Sequence, residues 1–223
     1  MDSFQLCLAF GPVAVYLLAV AAVNLRRRPT VLSGTRDTTA LGLAMVGLVA
    51  VGPMELWFPE SAALHLSAAL HLPGPLIWLP LLALYGLCVV LVLLTMRPRL
   101  VVYNVSVDQL RRVLAEVVDG LDTEARWAGD GLVLPRLGVQ LHLDSVKFMH
   151  NVSLVASGPN QSYLGWQKLH RRLAQSAGKT RAARNGRGLG FALAGLGMLA
   201  LLACLVAQDP QATLQAMYEM FRV

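Results

Sequence analysis

The fold is decided between Leu76 and Gly120, a stretch that reads LIWLPLLALYGLCVVLVLLTM (76–96), RPR (97–99) and LVVYNVSVDQLRRVLAEVVDG (100–120). The first part is apolar and carries no charge. A helix rising about 1.5 Å per residue needs about 20 such residues to cross a hydrocarbon core roughly 30 Å thick. Two arginines then bracket a proline, and the pattern changes to that of a folded soluble unit. Leu100 to Val105 is a β-branched run that predicts a strand. Ser106 and Gln109 have the spacing of a capping box, with Val105 and Leu110 as its hydrophobic staple. Leu110, Val113, Leu114, Val117, Val118 and Leu121 recur every three or four residues and form one apolar helix face, with Arg111, Arg112, Glu116 and Asp119 opposite. Gly120 is placed to end that helix in a left-handed cap.

Working outward, three more runs match 76–96 in length: Phe4 to Leu25, Thr39 to Phe58 and Leu189 to Ala207. The chain is 56% hydrophobic and only 14% charged, too apolar for an ordinary soluble surface. The reading is an integral membrane protein of four transmembrane helices, with a small α+β domain inserted between the third and fourth. The first run starts after Met1-Asp2-Ser3 and ends in Arg26-Arg27-Arg28, the reverse of a signal peptide's polarity, so it reads as a retained helix.

Charge sets the orientation, because basic loops stay in the cytoplasm. Of nineteen Lys and Arg, four (Arg26, Arg27, Arg28, Arg36) follow the first run and fourteen lie between Arg97 and Arg187, whereas the stretch 59–75 has none. Both termini are expected outside and residues 97–187 inside, in a bacterial-type plasma (inner) membrane. The net charge of +6 is accounted for by this placement, and no nucleic acid is expected as a partner.

Residues 100–178 predict strand, helix, several strands and helix. The later strands fall near 125–128, 131–135, 139–143 and 151–156, and the last helix spans Ser162 to Ala177 with Trp166, Leu169 and Leu173 inward. A ferredoxin-like order is the first expectation, with the strand before each helix forming the central pair. Residues 179–188 read as a basic hinge in which Lys179, Arg181, Arg184 and Arg187, together with Arg26, Arg27 and Arg28, would contact anionic lipid headgroups. Residues 208–223 read as an outer amphipathic tail capped by Asp209-Pro210.

Few residues suggest chemistry. Glu55 is an acid within a predicted span, and it admits both a functional intramembrane role and plain placement at the interface beside Trp57 and Phe58. His65 and His71 would point roughly 240° apart on a helix at about 100° per residue, which is a poor metal pair. Cys7, Cys88 and Cys204 lie in apolar runs and form no disulfide framework. His142, Asp144, His150 and His170 have no catalytic spacing, so no cofactor or metal is expected. Gly186, Gly190 and Ala194 make a small-residue stripe suited to helix packing. Arg111, Arg112, Arg171 and Arg172 form basic pairs open to an acidic partner. The sequons at Asn104, Asn151 and Asn160 read as chance on a cytoplasmic domain. The function expected is a non-catalytic scaffold, assembly or regulatory component whose cytoplasmic domain docks a protein partner and whose helices leave a homo-oligomer open. The alternative is a transporter or channel subunit using Glu55, with helices broken at Gly11-Pro12 and Gly52-Pro53.

Overall fold

A computed structural model describes residues 3–56, 78–146, 151–159, 161–179 and 186–221. In chain order the elements are α1 (Ser3–Leu25), β1 (Thr30–Ser33), α2 (Gly34–Leu56), α3 (Trp78–Thr95), β2 (Arg99–Tyr103), α4 (Val107–Asp119), β3 (Arg126–Ala128), β4 (Gly131–Leu134), β5 (Val139–Val146), β6 (Asn151–Ala156), α5 (Tyr163–Ala177), α6 (Arg187–Gln208) and α7 (Pro210–Phe221). They divide into two compact units. One comprises Met1–Ala19, Thr39–Leu94 and Phe191–Val223, and the other Val20–Thr38 and Thr95–Gly190.

The first unit is helical among its described residues. Two helices, Ser3–Leu25 and Gly188–Gln208, are long and apolar enough to cross a membrane, and the apolar helix Pro80–Thr95 is shorter. Only 17% and 11% of the most apolar windows of those two helices is buried, where a core helix of a soluble protein would be mostly buried. Within the unit, small residues bring backbones together. A Cβ on Gly47 would overlap the Leu8 carbonyl oxygen, so α1 and α2 meet only because that position is glycine. A Cβ on Gly195 would come within 2.9 Å of the Leu18 side chain and 3.1 Å of the Ala14 carbonyl. Tyr85 donates its hydroxyl to the Gly42 carbonyl at 2.7 Å, tying α3 to α2. Neither Gly-Pro pair breaks its helix: α1 runs through Gly11-Pro12 and α2 through Gly52-Pro53.

The second unit carries a six-stranded antiparallel sheet in the order β1-β2-β6-β5-β4-β3. β3 to β6 follow one another as neighbours, and β6 returns beside β2, pairing Leu100 with Leu154 and Val102 with Val152. This is not the ferredoxin-like order. In that order the two strands that precede the helices lie parallel at the centre, whereas here β2 and β6 pair antiparallel. The strands before the two helices are nonetheless neighbours, as expected. The edge strand β1 comes from the stretch between α1 and α2, where no strand was expected, and pairs Val31 with Val102.

One sheet face and the two helices α4 and α5 enclose the core. Alternation does the sorting on β5: Val139, Leu141 and Leu143 are buried, while Gln140, His142 and Asp144 are exposed. Leu110, Leu114 and Val118 from α4 meet Trp166, Leu169 and Leu173 from α5 over Leu132, Leu141 and Leu154. Burying each such side chain stabilises the fold by roughly 1.5–3 kcal/mol. Ser106 caps α4 by accepting from the Gln109 amide at 3.3 Å, and Ser162 caps α5 by accepting from Gly165 at 3.2 Å. Gly120 does not take the left-handed cap expected of it. It stays right-handed at φ −83°, and its amide donates to the Val118 carbonyl.

Two buried polar side chains hold the turns. Asp122 is 2% exposed, and its carboxylate accepts from the Glu124 amide at 3.0 Å and the Arg136 amide at 2.8 Å. Asn104 takes φ +60°, which asparagine tolerates better than most side chains, and donates to the Arg26 carbonyl at 2.5 Å.

Candidate functional site

The second unit holds a groove of about 690 Å³, built from three segments far apart in sequence. Ser33 to Arg36 form one side where β1 gives way to α2. Met96 to Leu100 form the second, where the chain leaves α3 for β2. Tyr163, Trp166, Gln167, His170 and Arg171 on α5 form the third. Helical spacing explains that third wall, since residues 163, 166, 167, 170 and 171 lie on one face of α5.

Four guanidinium groups, of Arg36, Arg97, Arg99 and Arg171, and the His170 imidazole line the groove, and no carboxylate is among its lining residues. Arg36, Arg97 and Arg171 are exposed, so their heads stand in solvent at the rim. Arg99 lies deeper. Its Nη2 donates to the Thr38 hydroxyl at 3.1 Å and lies 3.6 Å from the Asp37 carboxylate, whose other oxygen accepts from the Tyr103 hydroxyl at 2.5 Å. The Nε of Arg99 is buried with no hydrogen-bond partner among the described residues. A buried donor left without a partner costs about 1–3 kcal/mol. Gly34 leaves room for this arginine, because a Cβ there would overlap the Arg99 side chain. Trp166 supplies an apolar wall, with its indole N–H held at 2.9 Å by Gln161, which in turn donates to the Gln140 and Ser157 carbonyls.

The residues singled out in the sequence are not drawn into one centre. Glu55 falls in the last turn of α2. Trp57, Phe58, His65, His71, His150, Asn160, Arg181 and Arg184 lie outside the described residues. Arg26, Arg27, Arg28 and Lys179 are exposed, and Arg187 opens α6. Among the described residues, no group of three His, Cys, Asp or Glu is arranged to hold a metal. Arg111 pairs with Asp130 and lies over the Trp127 ring at 6.0 Å.

Among the described residues the small-residue stripe of α6 makes no packing contact: Ala194 is exposed, and nothing lies within 4 Å of a Cβ on Gly186 or Gly190. The buried face of α6 is instead Gly188, Gly195 and Leu202, one residue every seven. Gly190 stands about 200° round from Gly188 at about 100° per residue, on the opposite side.

Sequence reasoning met every cation of the groove without assembling them. Arg36, Arg97 and Arg99 counted as topology-setting charge, Arg171 as half of a surface pair, and His170 as an isolated histidine. Comparison with protein-family models, curated proteins and solved structures found no match, so the function is read from the chain's own residues.

Proposed function

We propose that this chain is a non-catalytic, multi-pass membrane component whose α+β unit is a docking module held at the cytoplasmic face. In this reading α2 and α3 join the two span-length helices as the second and third of four spans. The termini lie outside, and residues 97–187 lie inside a bacterial-type plasma membrane. The observation that carries it is the low burial of the two span-length apolar helices, in a chain that also holds a unit with its own core. Exposed Leu43, Leu87, Leu94, Leu193 and Leu201 belong in lipid rather than water. Eighteen of nineteen basic residues on one side of four spans give the orientation. The sheet face with exposed Gln140, His142 and Asp144 is the docking surface in this reading.

Affinity isolation of the tagged full chain in mild detergent, compared with a chain lacking residues 101–178, tests the reading. A stoichiometric protein partner that is present with the full chain and absent from the deletion is the expected result. A chain isolated alone in both forms removes the docking role and turns attention to Glu55. A transport role for Glu55 would then require that wild type in liposomes moves an ion that Glu55→Gln does not.

A further inference from the structure

We infer that the groove between β1, the start of β2 and α5 is a binding site for a phosphate group, taken from an anionic phospholipid headgroup or from a soluble phosphate compound. The phosphate site is read from the lining of the groove, and only its lipid source rests on the membrane reading proposed above. Three features carry it. The space of about 690 Å³ falls within the range of small-molecule sites. Its walls bring four guanidinium groups and an imidazole together, and among the described residues only Arg99 of the four arginines is paired with a carboxylate, that of Asp37 at 3.6 Å. Among the described residues the Nε–H of Arg99, a lining residue, is buried without an acceptor, and a phosphate oxygen is the acceptor that guanidinium geometry favours.

The rest of the lining suits an amphiphile. Trp166, Met96, Pro98 and Tyr163 offer apolar surface next to the cations. Arg97 follows directly on the apolar helix that ends at Thr95, so the groove opens where the chain leaves that helix. In a chain that crosses a membrane at α3, this is the level of the headgroups, where each basic side chain adds on the order of tenfold or less to the retention of an anionic lipid.

The test uses the full chain in a neutral maltoside, wild type against Arg97→Gln/Arg171→Gln. Both residues are exposed at the rim, so the fold does not depend on burying them. Arg97→Lys/Arg171→Lys retains the charge, and Arg112→Gln/Arg126→Gln removes two exposed cations away from the groove. Native mass spectrometry follows retention of phosphatidylglycerol and phosphatidylcholine, and calorimetry follows binding of inorganic pyrophosphate. The expected result is phosphatidylglycerol retained roughly tenfold or more less by the glutamine pair at the groove, largely restored by the lysine pair and unchanged by the distal pair. Phosphatidylcholine should not distinguish the four proteins. If pyrophosphate binds one to one, with the same dependence on the variants and no lipid preference, the site takes a soluble phosphate compound. If neither probe separates the groove variant from wild type, or if the distal pair loses as much, the phosphate site is refuted.

Discussion

Replacing Leu114 with alanine is expected to melt the α+β unit while the apolar helices stay in the bilayer. Leu114 has no exposed surface and sits on the inward stripe of α4 between the sheet and α5. Removing its branched end forfeits the transfer energy and leaves a cavity, a loss of about 2–5 kcal/mol. Domains of this size are held by only about 5–15 kcal/mol, so the loss is a large share of the total. Protease resistance of the unit, read as cleavage near Arg111, Arg126 and Arg136 on warming, should fail about 10 °C or more below wild type. Leu114→Met preserves volume and should cost less than about 1.5 kcal/mol. A Leu114→Ala protein as resistant as wild type would mean that α4 does not close this core.

Asp122→Ala should be of comparable severity for a different reason. The carboxylate joins the turn after α4 to the turn between β4 and β5 by accepting two backbone amides, at 3.0 and 2.8 Å. Alanine removes both hydrogen bonds to a charged acceptor, at about 1.5–3 kcal/mol each. Asp122→Asn keeps one acceptor oxygen but turns an amide N–H₂ toward the other donor, so it should fall between the two. By contrast Glu124→Gln, which weakens the exposed ion pair with Arg136, should change stability by less than about 1 kcal/mol. Thermal unfolding of the four proteins in one detergent reads the order directly. Equal stability of wild type and Asp122→Ala would show that the two turns are not held by this side chain.

These features differ in how far the sequence discloses them. The helix from Val107 to Asp119 and the strand that opens at Val139 are legible because their signals are local: a cap at Ser106, a three-and-four-residue stripe, and the alternation of Val139, Leu141 and Leu143 with Gln140 and His142. The edge strand at Thr30–Ser33 is not. Four residues beside a run of arginines carry no period, and what makes them a strand is pairing with β2 some seventy residues on. Strand order is likewise non-local, which is why the ferredoxin-like expectation failed even though each later strand was found within a few residues. The face of α6 packed within the chain is not the stripe of Gly186, Gly190 and Ala194, which composition alone defines. The side chains that decide the face, Asn24 and Leu25 against Gly188 and Leu18 against Gly195, belong to α1. The groove shows the same limit. Arg36, Arg97, Arg99 and Arg171 come from three segments, and no spacing rule joins them.

The account as a whole depends on the chain crossing the membrane with the α+β unit inside. The direct measurement is labelling of single cysteines in a chain freed of Cys7, Cys88 and Cys204, using a membrane-impermeant maleimide on intact cells and again after lysis. Ser61→Cys lies in the connection without Lys or Arg after the second apolar run, and Gln175→Cys is exposed on α5. The account predicts that Ser61→Cys labels in intact cells and Gln175→Cys only after lysis. Labelling in the reverse order would overturn the orientation, and recovery of the chain from the soluble fraction would overturn the membrane reading itself.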